Sequence, residues 1–222
     1  MDQQHATTHQ TLRAPRAAAI AGIFFAVLLM ASYILIWISI PANPAANASH
    51  VISHSTTVSL ALNLLPFAGI AFLWFIAVVR NRLGSLEDRF FATVFLGSGL
   101  LYIAMVFTSA ALAGGLIQVL INAPEVMTQM GTYALARAQV FQTMNVYAIK
   151  MAGVFMFSTS TILLRTRIVA RWIAVLGYGL GVILLLSIGF IRWAPLVFPI
   201  WIFLISVAIL LDNPSSVPGT SQ

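Results

Sequence analysis

A single lysine, Lys150, interrupts an otherwise uncharged apolar run from Met144 to Leu164. An ammonium at the centre of a bilayer-spanning helix costs about 2.5 to 3.5 kcal/mol on insertion scales, so such a charge needs a substrate, a relay or a structural partner. At helical spacing it shares a stripe with Thr143, Tyr147, Ser158 and Thr161, a face suited to a bundle interior or a wet cavity. The plainer account is that Lys150 lies about two turns from one end of the run, where its long stem reaches the headgroups.

Ser59, Asn63 and Pro66 make a second stripe, at spacings of four and three, in the run Val58 to Val79. Such side chains, with the backbone groups that a proline kink releases, bind a solute or ion where they line a cavity. Elsewhere they hydrogen-bond to neighbouring helices, for about 0.6 kcal/mol each. Ser59, Asn63, Pro66, Tyr147, Lys150 and Ser158 are therefore the candidates for a substrate path. Gly177 and Gly181 stand four apart, and Gly97 opens a Gly-Ser-Gly step. Small residues at this spacing let helix backbones approach closely, within one chain or across a dimer.

Histidines occur in two pairs four apart, His5/His9 and His50/His54, a spacing that on a helix offers two imidazoles to one metal. Neither pair carries the glutamate of a zinc-protease motif, so His50 and His54 are metal candidates by spacing alone. No His, Asp or Glu lies inside an apolar run, which argues against an intramembrane haem with His ligands and against a carboxylate proton relay. Cysteine is absent, which removes disulfides, thiolate catalysis and Cys-ligated clusters. A nucleophilic enzyme would have to use Ser109 or Thr108, activated by a deprotonated Lys150. No cofactor is expected.

The elements that must position these groups are set by composition. Of 222 residues, 60% are apolar and only 7% charged, against about 25% charged in a soluble domain. A water-soluble fold is excluded on that ground. The net charge of +6 comes in short groups beside apolar runs, not along one continuous face, so it marks topology and not nucleic-acid binding.

The fold class expected is all-α, a polytopic bundle of six transmembrane helices with both termini cytoplasmic. The spans fall at about 17–40, 58–79, 90–113, 144–164, 172–191 and 196–211, within a single transmembrane domain over 13–211. Residues 1–12 and 212–222 read as disordered tails. The first run, 24 residues from Ala17 to Ile40, exceeds the 7 to 15 of a signal-peptide core and is long enough to span uncleaved. Pro66 should kink the second span. Phe90 to Leu120 is 31 uncharged residues, about 46 Å as one helix, so a break is expected at Gly114-Gly115. Residues 122–143 read as a surface helix, a re-entrant segment or an extension of the fourth span.

Orientation follows from arginine. One side collects Arg13, Arg16, Arg80, Arg82, Arg89, Arg165, Arg167 and Arg171, and the other only Arg137 and Arg192, which places both ends inside. Ten arginines to one lysine, with abundant alanine, is a bias common in GC-rich bacterial genomes, so a bacterial plasma (inner) membrane is the expected location.

The scarcity of intramembrane polar groups favours a non-enzymatic accessory or scaffold subunit whose partners are the lipid bilayer and a second copy or another membrane protein. The alternative is a small permease or channel-like carrier for an apolar, amphipathic or weakly anionic solute, using the polar faces of spans two and four. A Ser/Lys hydrolase at the outer leaflet is a more remote alternative.

Overall fold

The computed structural model of the chain describes residues 3–39, 53–83, 89–123, 131–166, 170–187 and 193–211. Among the described residues 96% are helical and none lies in a strand. The helices are α1 (Gln3–Ser39), α2 (Ser55–Leu83), α3 (Arg89–Asn122), α4 (Thr132–Gln142), α5 (Ile149–Thr166), α6 (Arg171–Leu186) and α7 (Ala194–Leu211), with a π-helical segment, Thr143–Ala148, joining α4 to α5. Five stretches are long and apolar enough to cross a membrane: Ala17–Ser39, Ser55–Arg80, Phe90–Asn122, Thr132–Arg165 and Ala194–Leu211. The sixth expected span, α6, is apolar but only 16 residues long. Its described end, Leu186, falls short of the expected Ile191, because Ser187 turns the backbone to an extended conformation (φ −64°, ψ 130°).

Three further boundaries differ from the sequence expectation. Residues 3–12 continue the helix of the first apolar run; elongating an existing helix adds one hydrogen bond per residue fixed and needs no new nucleus. The expected break at Gly114-Gly115 is absent, and α3 runs on for 34 residues. Beyond the glycines, Ile117 and Leu120 are buried with Val58 in a small core against Leu62, Leu116, Val119 and Tyr133. That burial offsets a glycine cost of about 1 kcal/mol each. The segment before Lys150 extends the fourth span, since α4, the π segment and α5 are continuous. The expected C-terminal tail, His50, Arg167 and Arg192 lie outside the described residues.

Successive helices run antiparallel, as their contacts show. The first and last helices are antiparallel too: Gly22, midway along α1, meets Ser206 near the end of α7, and Trp37 stacks edge-on against Trp193 at 4.9 Å where α1 ends and α7 begins. Gly69 of α2 meets Phe107 of α3, and Gly99 of α3 meets Ile76 of α2. Arg165 closes α5 over the ring of Phe91, 5.0 Å from its centroid, at the start of α3. Arg80, Arg165 and Arg171 consequently share one end of the bundle, and a cation in the last turn of α5 also suits the helix dipole.

The core is aromatic. Phe72, fully buried, lies 4.4 Å from Phe25, 5.2 Å from Phe155, 5.6 Å from Phe198 and 5.9 Å from Tyr102, centroid to centroid. Those rings come from α1, α5, α7 and α3, so one side chain of α2 ties four other helices together. Tilted and edge-on pairs of this kind add about 0.5 to 1.5 kcal/mol each beyond their buried area. In lipid, where tails are as apolar as leucine, such close packing is what holds helices together.

Candidate functional site

The site of greatest chemical interest surrounds Lys150 and is built from three elements. At the junction of α4 and α5 the helix widens into a π turn, Thr143–Ala148, which adds a residue and rotates the faces of α4 relative to those of α5. Carbonyls just ahead of the widening take side-chain donors: Thr143 Oγ1 donates to Gln139 O (2.8 Å), Ser109 Oγ of α3 to Val140 O (3.1 Å) and Asn145 Nδ2 to Phe141 O (3.2 Å). Side chains that compete with the backbone ladder in this way favour a local departure from α geometry.

One turn further on, half-buried Lys150 crosses to α6 and donates from Nζ to Leu185 O at 2.9 Å. Ser187 serves the neighbouring carbonyls, its N–H bonding Ile183 O (2.9 Å) and its hydroxyl bonding Leu184 O (3.1 Å). A helix end leaves its last four carbonyls without intrahelical donors, and in hydrocarbon water cannot supply them. Lys150 fills one of these vacancies and sets a positive charge on the negative end of the α6 dipole. Beside this cap, Tyr33, Tyr102, Met144, Leu184 and Phe198 close around a gap with no room for a water molecule. Tyr33 Oη donates to Met144 Sδ there, at 3.7 Å.

The polar stripe expected along span four is only partly kept. Tyr147, in the π turn, is exposed (60%), because the wider turn rotates Thr143 and Tyr147 relative to α5. Within α5, Lys150 and Thr161 both turn to α6, while Ser158 is buried and donates back to Val154 O and Phe155 O, both at 3.0 Å. Thr161 is shared between Phe157 O (3.1 Å) and the Tyr178 hydroxyl of α6 (2.7 Å). The second stripe is also displaced: Ser59, Asn63 and Pro66 all face outward, and Asn63 Nδ2 donates to Ser59 O at 2.9 Å. Val58, Ala61, Leu65, Ala68 and Phe72 are the buried row of α2, and their packing fixes its rotation. Among the described residues Asn63 and Lys150 therefore do not share a polar face.

Ser109 and Lys150 are likewise bonded to separate carbonyls, and Thr108 is exposed and bonded to Ala104 O at 2.8 Å. His54 sits beside Ser53 Oγ (Nδ1 at 3.0 Å), and among the described residues no three His, Asp or Glu side chains cluster as a metal site.

Of the packing glycines, Gly181 and Gly153 meet face to face between α6 and α5: a Cβ on Gly153 would stand 2.9 Å from Gly181 O, and one on Gly181 3.1 Å from Gly153 O. Gly177 faces Ser160 and Trp201. Gly97 has nothing within 4 Å, and the close approach beside it belongs to Gly99, against Ile76 and Phe155. Sequence reasoning missed Gly153, Ser160 and Ser206, small residues at helix contacts whose partners lie in other helices. It also missed the π turn, for which the back-bonding Thr143 and Asn145 were the available signal.

A scan against protein-family models, a search of curated proteins and a search of solved structures each return no match. The class rests on the chain itself: an all-helical bundle with five helices long and apolar enough to cross a membrane, consistent with a helical membrane protein.

Proposed function

We propose that this chain is a non-enzymatic structural or accessory subunit of a bacterial inner membrane, crossing it six times with both termini cytoplasmic. The observation that carries the reading is where Lys150, Ser158 and Ser109 go; the buried hydroxyls of Ser39, Tyr102, Thr159, Ser160 and Ser206 take no hydrogen-bond partner. Lys150 is taken up by the end of α6, Ser158 by its own helix and Ser109 by Val140, around a core of packed aromatic rings. A carrier needs a polar route with exchangeable donors, and a Ser/Lys hydrolase needs its two groups in contact. Neither arrangement is found among the described residues.

The sixth span is α6, about 24 Å long and thus shorter than the roughly 30 Å hydrocarbon core. Lys150 is what lets it end inside the bilayer. The cytoplasmic assignment follows the shared end of Arg80, Arg165 and Arg171.

Reconstitution into liposomes tests the functional reading. Vesicles holding the protein should be no more permeable to small organic anions or neutral amphiphiles than protein-free vesicles, and Lys150→Met should change nothing. Saturable uptake that is lost in a folded Lys150→Met variant would establish a carrier instead. For orientation, Ser85→Cys should react with an impermeant thiol reagent in inverted membrane vesicles and resist it in intact cells. The opposite pattern would reverse the topology.

A further inference from the structure

The gap beside the α6 cap is bordered by two tyrosines whose hydroxyls are poorly used. Tyr33 of α1 and Tyr102 of α3 are 5% and 2% exposed, and their hydroxyls are neighbours. Tyr33 gives its proton to Met144 Sδ, a weak acceptor, while Tyr102 Oη has no partner within hydrogen-bonding distance. A buried donor left unbonded in an apolar interior costs free energy, and so it needs a reason. Water does not supply one, because the gap has no room for it. We propose that Tyr33 and Tyr102 form a binding site for a small, uncharged, lipophilic ring compound bearing a carbonyl oxygen, of which a quinone ring is the simplest, and that Met144 is its gate. The site adds a ligand to the structural-subunit reading and does not rest on it.

The gate is suited to open. Met144 is only partly buried, and its unbranched side chain turns about three bonds. It rises from the π turn, a departure from α geometry found frequently at functional sites. Swinging it outward frees the Tyr33 proton and vacates the place that the thioether fills. A carbonyl oxygen seated there accepts from both phenols, one on each lone pair, and a strong acceptor takes the place of a weak one.

The rest of the lining selects an uncharged ring. No charged side chain borders the gap among the described residues, so an ionised ligand would be buried without a countercharge. Ala148, Ala152 and Ala194 are small, and about 200 Å³ of unfilled space lies among the lining side chains, too narrow throughout for water. Phe198, edge-on to Tyr102 at 4.6 Å and itself buried in the aromatic cluster, gives the site a firm floor on which a flat ring packs. Ser160 and Ser206 are also buried without partners, but they are pressed against Gly177 and Gly22, so a neighbour already fills the space beside them.

Duroquinone and durene test the site, being tetramethyl rings of similar outline with and without carbonyls. Binding to the purified full chain in detergent is read by equilibrium dialysis against protein-free micelles, which accounts for the share that partitions into detergent. Duroquinone should bind saturably and durene about tenfold or more weakly, the factor that one neutral hydrogen bond supplies. Tyr102→Phe should weaken duroquinone by a similar factor yet leave the midpoint of thermal unfolding unchanged or raised, since it removes a hydroxyl that bonds nothing in the free protein. Met144→Ala, which takes away the gate, should tighten binding severalfold, and Ala152→Leu, which fills the gap, should abolish the saturable part. If neither the parent nor Met144→Ala binds duroquinone saturably, if durene binds as tightly, or if folded Tyr102→Phe keeps the parent affinity, the proposal is overturned.

Discussion

At Lys150 one side-chain donor meets one helix-end carbonyl. A bare ammonium and an uncapped carbonyl are each expensive in hydrocarbon, and the 2.9 Å bond from Nζ to Leu185 O caps the carbonyl and takes one of the three ammonium donors. Replacing Lys150 with Met removes the donor and leaves the carbonyl, which should cost about 1 to 3 kcal/mol, seen as a lower midpoint of thermal unfolding in detergent. Lys150→Arg keeps a charged donor of similar reach and should retain most of the stability. Equal midpoints for Met and the parent would mean that the cap contributes nothing. The oddity of this lysine was legible in the sequence, because a charge inside an apolar run stands out against its neighbours. Its partner was not, since Leu185 lies 35 positions away and only tertiary packing brings a backbone oxygen there.

Among the helices, existence and type followed from apolar runs, while ends and rotations did not. Gly114-Gly115 looked like a break on length alone, yet the contacts of Ile117 and Leu120 with α2 carry α3 through it. The polar stripe of Ser59 and Asn63 was correctly periodic, but periodicity gives a face and not what the face meets; the buried row through Phe72 decided that. Gly177 and Gly181 stood out by their spacing, and their partners Gly153 and Ser160 on α5 did not, being small residues in an ordinary apolar context. Two neighbouring glycines of α6 separate these roles. Gly181→Leu would drive a side chain into Gly153 O, Met156 and Phe157, and should destabilise by at least about 1 to 3 kcal/mol. Gly179→Leu enters open space and should be neutral or mildly stabilising through helix propensity. Thermal unfolding of both variants checks this, and equal losses would remove the close α5–α6 contact from the account.

For the molecule as a whole, what matters is that among the described residues the middle of the bundle is packed with aromatic rings. Composition alone pointed to a bilayer, since 7% charge is far below what a soluble domain of this size carries. It could not establish dryness, because aromatic residues line cavities as readily as they fill cores, and only the mutual contacts of Phe72, Tyr102, Phe155 and Phe198 distinguish the two. A thiol reacts with a water-soluble maleimide as its thiolate, which needs water beside it. Three small inward residues, Ala68, Ala152 and Ser158, buried on α2 and α5, change least in volume on going to cysteine. The deciding measurement is labelling of these three single-cysteine variants in sealed membranes, with Ala134→Cys, exposed near the start of α4, as the reactive control. All three inward positions should stay unlabelled from either side while Ala134→Cys reacts; labelling of Ala152→Cys and Ser158→Cys at rates near the control would reveal a water-filled path and contradict the packed bundle.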